Sequence, residues 1–162
     1  MQYRKINSPI GELLLVGTDN VLEMVGLPEG KGMVRVLSDW RPSSFAFDEA
    51  VRQLDEYFSG RRKVFDLELR PRGTLFQLAV LEGIALVPYG KTQSYQEIAN
   101  VVGRPRAVRA VGAAIGRNPL PIVIPCHRVI GSDGGLTGFA GGLAAKRHLL
   151  GLESEEFQLL SF

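Results

Sequence analysis

The chain is short of cysteine and histidine: its 162 residues include one cysteine, Cys126, and two histidines. One thiol excludes an internal disulfide, and this set cannot form a typical four-ligand structural zinc site. The absence of disulfides favours a reducing compartment, and we expect a cytoplasmic protein. The N-terminal residues lack a long apolar run after a charged segment, so no signal peptide is evident. No apolar run reaches the roughly 18 residues that a membrane span needs.

The chain also lacks a large excess of either sign of charge, since its net charge at pH 7 is +2. Residues 87–128 depart from this balance, because six basic residues stand against one acidic residue, Glu97. The basic residues are Lys91, Arg104, Arg106, Arg109, Arg117 and Arg128. Such a local excess indicates a polyanionic partner. A solvated face with scattered arginines would have the same composition, so charge alone leaves both interpretations open.

The first half of the chain predicts a small antiparallel sheet followed by helices. Short apolar runs separated by turn residues predict strands, and apolar residues every three or four positions predict helices. The predicted strands span residues 3–6, 11–17, 21–26 and 64–69, and the predicted helices span 31–40 and 48–59. Trp40 and Phe45 are expected in the core. Residues 70–73 (Arg-Pro-Arg-Gly) are the best candidate for a domain boundary.

The second half predicts several short helices. Thr74 is a candidate N-cap for a helix over residues 75–84, and Ser94 with Glu97 forms a capping-box pattern before the next helix. That helix ends at Gly103, and an arginine-containing helical segment follows it. Two helices joined by such a turn resemble a helix-turn-helix, a pattern that many helical hairpins share. A final helix is predicted over residues 144–152.

The dipeptide Cys126-His127 is a candidate reactive centre. The thiolate is the nucleophile, and a free thiol with a pKa of about 8.5 needs a base or cation to populate it near pH 7. His127 is the obvious base, although contact with its neighbour requires a turn after Pro125 or a bridging water. The acid that orients the imidazole would be one of Asp133, Glu153, Glu155 and Glu156. The alternative is that Cys126 is a small buried apolar residue and His127 has no chemical role.

Residues 118–129 (Asn-Pro-Leu-Pro-Ile-Val-Ile-Pro-Cys-His-Arg-Val) resemble the active-site signature of the methylated-DNA–protein cysteine methyltransferases, or O6-alkylguanine-DNA alkyltransferases. The resemblance extends, in matching order and spacing, through residues 94–99, 109–112, 138–143 and 146–153. It covers the second half nearly continuously. The first half is similar to the family only in size and in its strand-then-helix layout.

This resemblance implies an alkyl acceptor that acts once. Cys126 would take the alkyl group from O6 of guanine, or from O4 of thymine, and keep it as a thioether. His127 would deprotonate the thiol through a water, and Glu153 would hold His127. Asn118 would fix the turn that presents the thiol, and Tyr95 would assist at the base. The resemblance implies no cofactor and no metal.

The resemblance also implies that a base turns out of double-stranded DNA into a pocket. Tyr95 would press on the phosphate, and Arg109 would fill the gap in the base stack. The residues implied in DNA binding are Tyr95, Gln96, Arg106, Ala107, Arg109, Gly112 and Ser132. The residues implied in the pocket are Tyr95, Pro121, Cys126, Val129, Phe139 and Ala140. Position 140 commonly carries a hydroxyl residue in the family, so the polarity of this pocket differs.

These observations predict two domains. Residues 1–72 are expected to form an α/β domain of ribonuclease-H-like layout, with an antiparallel sheet plus helices. Residues 73–162 are expected to form a mainly α domain of winged-helix, helix-turn-helix type. The expected function is direct, irreversible repair of O6-alkylguanine in DNA by a monomer without membrane association. Two rivals are a Cys-His-Glu hydrolase, which regenerates its thiol, and a DNA-binding damage sensor with an idle cysteine.

Overall fold

A four-stranded sheet forms the first half of the protein in the computed structural model, which describes residues 1–154. The strands, in the order β3-β2-β1-β4, are β1 (Gln2–Ile6), β2 (Leu13–Thr18), β3 (Val21–Gly26) and β4 (Arg41–Pro42). The first three pair antiparallel, and β4 pairs parallel with β1. Asp19 and Asn20 have φ values of 55° and 62°, as a two-residue hairpin between β2 and β3 requires. The predicted antiparallel meander is therefore confirmed.

Helix α1 (Asp48–Phe58) confirms the helix predicted from apolar spacing in this part of the chain. Its buried face carries Ala50, Gln53, Leu54 and Tyr57, which recur every three or four positions. Two acidic residues stand in the first turn, where carboxylates interact favourably with the helix dipole. The face therefore combines apolar side chains with two polar groups that need partners inside the protein.

The predicted helix over residues 31–40 is wrong. The chain makes one 3-10 turn at Gly30–Gly32 and then runs irregularly. Burial alternates with a period of two, since Val34 and Val36 are half-buried while their neighbours are exposed. That period belongs to an extended chain, which β-branched residues favour. Trp40 is half-buried, and Phe45 is 82% exposed, so its expected core position is also wrong.

The predicted strand over residues 64–69 is reduced to one bridge, between Leu69 and Leu22 of β3. The side chain of Gln53 explains the difference, because it occupies the backbone groups that a neighbouring strand would use. Its Nε2 donates to the C=O of Asp66 at 2.9 Å, and its Oε1 accepts from the N–H of Asp66 at 2.8 Å. The segment is thus held extended by a side chain on α1.

Helices dominate the second half of the chain. They are α2 (Leu75–Ala85), α3 (Tyr95–Val101), α4 (Val108–Gly116) and α5 (Leu143–Glu153). Strands β5 (Gln93–Ser94) and β6 (Val129–Ile130) form a short parallel pair. Thr74 and Ser94 close capping boxes at the starts of α2 and α3, which confirms the predicted N-cap at Thr74 and the predicted box at Ser94. Gly103 has a φ of 74° in the turn between α3 and α4, a conformation that glycine adopts without strain.

One apolar core joins the two halves. Buried residues of β2, β3 and α1 belong to the same cluster as buried residues of α2, α3, α4 and α5. The N–H of Val25 in β3 also donates to the C=O of Pro119 at 2.9 Å. The edge of the sheet therefore contacts the loop that leads to Cys126. Within residues 1–154, no helix has the length and apolar character needed to cross a membrane.

Candidate active site

A tight loop, residues 118–125, presents the thiol of Cys126. The side chain of Asn118 bridges this loop from within. Its Nδ2 donates to the C=O of Ile124 at 2.9 Å, and its Oδ1 accepts from the N–H of Leu120 at 3.0 Å. Asn118 thereby fixes the direction in which the chain enters the turn at the buried thiol.

The same loop contains backbone strain at Ile122. Its φ is 75°, in the left-handed region that a β-branched residue rarely adopts and that costs about 1–3 kcal/mol. The side chain of Ile122 is fully buried, so core packing and the Asn118 bridge together offset this cost. The loop is therefore a defined conformation rather than a loose connection.

A 3-10 turn at Cys126–Arg128 brings His127 against α5. Nε2 of His127 lies 2.7 Å from Oε2 of Glu153, and both side chains are buried. Of the four candidate acids, Glu153 lies at the imidazole, Asp133 lies in the exposed loop after β6, and Glu155 and Glu156 lie outside the described residues. The turn after Pro125 thus supplies the bend that the sequence requires.

The protonation of this pair follows from its surroundings. Burial alone would raise the pKa of Glu153, but hydrogen bonds from His127 and Arg128 outweigh it and lower that pKa to about 2. Burial lowers the pKa of His127 despite the neighbouring carboxylate, so we take the ring as neutral at pH 7. Nε2 then carries the ring hydrogen and Nδ1 a lone pair. Nδ1 is buried and has no hydrogen-bond partner among residues 1–154, which leaves it free to accept a proton.

The thiol itself is held in its neutral form. Burial raises the pKa of Cys126 to about 11, although a hydrogen bond from Asn118 and the charge of Lys146 act in the opposite direction. Burial also lowers the pKa of Lys146 to about 8. Nζ of Lys146 donates to the C=O of Val129 at 2.6 Å and to that of Thr137 at 3.0 Å. A nucleophilic thiolate here requires removal of a proton, which the free Nδ1 of the imidazole can accept.

Sequence reasoning missed three polar residues around the site. Arg128 belongs by sequence to the basic residues of segment 87–128, yet it is only 7% exposed and pairs with Glu153 through Nε–Oε1 and Nη2–Oε2 contacts of 2.7 and 3.0 Å. Lys146 enters the sequence prediction only through the family resemblance. Tyr57, on α1, donates from its hydroxyl to Oε2 of Glu153 at 2.6 Å. Only the place of Arg128 beside the Cys-His pair could have signalled its role.

A small cavity of about 50 Å³ opens beside the thiol. Five of the six pocket residues expected from the sequence line it, namely Tyr95, Pro121, Cys126, Phe139 and Ala140. The sixth, Val129, is fully buried in the core, and its C=O accepts from Lys146. The lining also includes residues that the sequence did not suggest for the pocket: Gly112, Ile115, Gly116, Asn118 and Gly138. Three of the ten lining residues are therefore glycines.

The α3–α4 pair lies at the mouth of this cavity. Arg106 and Arg109 are exposed at the start of α4, and Ala107 is its half-buried N-cap. A Cβ placed on Gly112 would lie 3.7 Å from the ring of Tyr95, so α4 and Tyr95 are close neighbours. Small residues on α4 leave its backbone accessible to a large partner.

Gln96 and Ser132 are two further residues expected to contact DNA. Nε2 of Gln96 donates to Oδ1 of Asn100 at 3.0 Å and to the C=O of Pro105 at 2.9 Å, which ties α3 to the turn before α4. Ser132 is exposed in the loop after β6.

Residues 1–154 contain no cluster of three or more His, Cys, Asp or Glu side chains able to hold a metal ion.

Fold and site together define a two-part protein in which a helix pair borders a cavity that holds a single thiol. Two family models match the chain. Residues 1–71 match the ribonuclease-like domain of 6-O-methylguanine DNA methyltransferase, and residues 75–155 match the DNA-binding domain of the same family.

Relatives agree over nearly the whole chain. A methylated-DNA–protein-cysteine methyltransferase of Methanosarcina barkeri is 49% identical over 98% of this chain and 100% of its own length. The Mycobacterium tuberculosis protein of that name is 48% identical over 94% of this chain and 92% of its own. A crystal structure of M. tuberculosis OGT in complex with DNA superposes with a TM-score of 0.90, at 48% identity, over 96% of this chain and 94% of that one. The chain belongs to the methylated-DNA–protein-cysteine methyltransferase family.

Proposed function

We propose that this protein repairs alkylated DNA by transferring an alkyl group from O6 of guanine, or O4 of thymine, to Sγ of Cys126. The observation that carries the proposal is the position of the only thiol. It borders a cavity beside an arginine-bearing helix pair and follows directly on a loop bridged by Asn118. It also precedes a neutral imidazole whose Nδ1 is free. The family's activity and this geometry support the same chemistry.

The reaction needs no group beyond those of the chain, the DNA and water. The thiol proton passes through a water to Nδ1 of His127, and Glu153 stabilises the imidazolium through Nε2. The thiolate attacks the alkyl carbon, the carbon–O6 bond breaks, and guanine leaves with the electron pair and gains a proton at its ring. We propose that the hydroxyl of Tyr95, which lines the cavity and accepts a hydrogen bond from Thr137 at 2.9 Å, assists that proton transfer. The product is a stable thioether, so each molecule reacts once.

The target base must leave the duplex before it reaches a thiol that is 6% exposed. Flipping costs a few kcal/mol of stacking and pairing. Arg109 offsets part of this cost by filling the vacated stack, and the half-buried ring of Tyr95 presses on the adjacent phosphate. Contacts to the DNA backbone carry no sequence preference. The residues that supply them are Gln96, Arg106, Ala107, Gly112 and Ser132. This suits a protein that searches for lesions.

The finer architecture is part of the same proposal. Residues 1–72 form a ribonuclease-H-like domain, and residues 73–162 form a winged-helix domain that carries the acceptor. We propose that the protein acts as a cytoplasmic monomer on double-stranded DNA. The break between the two matched regions and the irregular segment at residues 70–74 support this boundary.

Label transfer tests the function directly. Incubation with duplex DNA carrying labelled O6-methylguanine should leave one label per protein molecule, and Cys126→Ser should abolish it. The intact mass should rise by one CH2, because the methyl group replaces the hydrogen of the thiol. Catalytic release of the label would instead indicate a hydrolase. DNA binding with no label on the protein would indicate a damage sensor.

A further inference from the structure

The hydroxyl of Tyr57 reaches the acid of the proposed catalytic pair from the other half of the protein. Tyr57 lies on α1 and is fully buried. Its hydroxyl donates to Oε2 of Glu153 at 2.6 Å, across 96 residues of sequence. Oε2 is the same oxygen that accepts from Nε2 of His127 at 2.7 Å. The tyrosine and the histidine therefore share one acceptor atom.

The carboxylate of Glu153 is fully surrounded by donors. Oε2 accepts from Tyr57, His127 and Nη2 of Arg128, whereas Oε1 accepts from Nε of Arg128 at 2.7 Å and, weakly, from the N–H of Gly90 at 3.5 Å. Burial raises the pKa of Tyr57, which keeps its hydroxyl protonated and able only to donate to this oxygen. The orientation of the carboxylate is thus determined by groups from three segments of the chain: α1, the loop at Gly90 and the turn at Cys126–Arg128.

The ring of Tyr57 has a separate, packing role. It contacts the rings of Phe58, Phe65 and Tyr89, with centroids 5.3, 5.2 and 6.4 Å away. A phenylalanine at position 57 would keep this aromatic packing and remove only the hydroxyl. The two roles can therefore be separated by one conservative substitution.

We propose that Tyr57 is a positioning residue for alkyl transfer: its hydroxyl holds Glu153 in the orientation that keeps the hydrogen of His127 on Nε2 and leaves Nδ1 free for the thiol proton. The proposal rests on the function proposed above. It makes the chemistry of the second half depend on a side chain from the first half. Tyr57 does not line the cavity beside the thiol, and its hydroxyl bonds Glu153, so it acts through Glu153.

Removal of the hydroxyl has two expected effects. The carboxylate loses one fixed contact, so the imidazole is held less well and transfer slows. Oε2 also loses a donor that withdraws its charge, so it stabilises the imidazolium more and the ring binds its proton more tightly. The charged and titratable groups around the pair are Cys126, Arg128, Lys146, Tyr57 and Tyr89. All except position 57 are unchanged in Tyr57→Phe, so a shift in the pH profile reports on that hydroxyl.

The test is the single-turnover rate of Tyr57→Phe over a range of pH, on duplex O6-methylguanine and on free O6-benzylguanine. We expect a rate about tenfold lower on both substrates, since a carboxylate that loses one of its donors orients the imidazole less well. The acidic limb of the profile should move to higher pH. The affinity for DNA, measured in a Cys126→Ser background, should be unchanged. Nitrogen-15 NMR of the His127 ring should show a raised pKa.

Tyr89→Phe is the matched control. The hydroxyl of Tyr89 donates to the C=O of Leu152 at 3.3 Å rather than to Glu153, and its ring belongs to the same aromatic group. Its rate should stay within about twofold of the wild-type rate, with an unmoved pH profile. The proposal is overturned if Tyr57→Phe, too, loses only thermal stability and keeps the wild-type rate and profile.

A second variant keeps the test decisive if Tyr57→Phe does not fold. A fluorinated tyrosine at position 57 retains the shape of the residue and is a stronger donor, so the His127 pKa should fall instead of rise. An unchanged ring titration would overturn the proposal. The ring titration is independent of alkyl transfer, so it still decides the role of Tyr57 if the wild-type protein takes no label. In that case only the proposed function fails.

Discussion

Glu153 is the residue on which the buried charges of the protein converge. One carboxylate accepts hydrogen bonds from an imidazole, a guanidinium and a phenol, and its pKa falls to about 2 although burial acts in the opposite direction. A buried charge is tolerated only where such partners replace water. The same residue therefore serves both stability and the proposed proton transfer.

Glu153→Gln should make the stability of the protein less sensitive to acid. A carboxyl whose pKa is lower in the folded state stabilises it above the unfolded pKa, near 4.5, and loses that contribution as pH falls toward about 2. The difference in unfolding free energy between wild type and variant should include a pH-dependent part on the order of 3 kcal/mol, present at pH 6 and lost in that window. Urea unfolding at a series of pH values measures it.

Glu49→Gln is the contrasting control. Hydrogen bonds from Arg52 and Gln53 lower the pKa of Glu49 to about 2 as well, but Glu49 is exposed on α1. Salt should therefore weaken its contribution much more than that of Glu153. Equal salt sensitivity of the two variants would contradict this account of Glu153.

Helix α4 is the element that links the proposed DNA-binding residue Arg109 to the cavity. Arg109 stands exposed in its first turn, while Gly112, one turn later, lines the cavity beside the ring of Tyr95. Because one helix carries both residues, the distance between them is fixed. An arginine inserted in the base stack would therefore lie at a set distance from the cavity that receives the flipped base.

Arg109→Ala should separate base flipping from chemistry. Without the side chain that fills the stack, repair of duplex O6-methylguanine should fall tenfold or more, a loss of about 1–2 kcal/mol of the flipping energy. Reaction with free O6-benzylguanine needs no flipping and should change less than about twofold. Arg61→Ala, which removes a positive charge from the turn after α1, should leave both rates unchanged. Parallel losses on both substrates would argue against insertion.

At the scale of the molecule, the two halves share their core and their polar contacts. Glu23 of β3 is buried, and its Oε1 lies 3.0 Å from Nη2 of Arg72 in the segment that connects the halves. The Val25–Pro119 hydrogen bond joins the sheet edge to the loop before the thiol. Neither half could unfold without exposing apolar surface and charges of the other.

Unfolding should therefore be one cooperative transition. The sequence supplies one probe in each half, because Trp40 is the only tryptophan and Cys126 the only cysteine. The fluorescence of Trp40 and the reactivity of the Cys126 thiol should change at the same denaturant concentration. Two separate midpoints would mean that the halves unfold independently.

Local signals in the sequence predict local structure well in this protein. The capping boxes at Thr74 and Ser94 lie within one turn of the groups they bind, so their positions follow from spacing alone. The segment at residues 31–40 was misassigned because sparse apolar residues fit both a helical and an extended period. The strand expected at residues 64–69 is displaced by Gln53, which no local rule reveals.

The candidate site also contains residues that the sequence predicts and residues that it does not. The resemblance predicts Cys126, His127 and Glu153 as a group, and the structure brings the last two within hydrogen-bonding distance. Tyr57 and Arg128 were not predicted, because their roles depend on a carboxylate 96 and 25 residues further along the chain. Tertiary packing brings together partners so far apart along the chain. A hydrophobic pattern does not identify which residues will meet in this way.

The distance along the chain between Tyr57 and Glu153 has a consequence for synthesis. The chain is made from its N-terminus, so Tyr57, Cys126 and His127 leave the ribosome before α5 does. Until α5 docks, His127 lacks its acid and Arg128 lacks its counter-ion. A nascent chain therefore carries an unassisted thiol. The proposed acceptor gains its assisting imidazole and carboxylate only when the last described helix completes the fold, so transfer from DNA would follow folding rather than precede it.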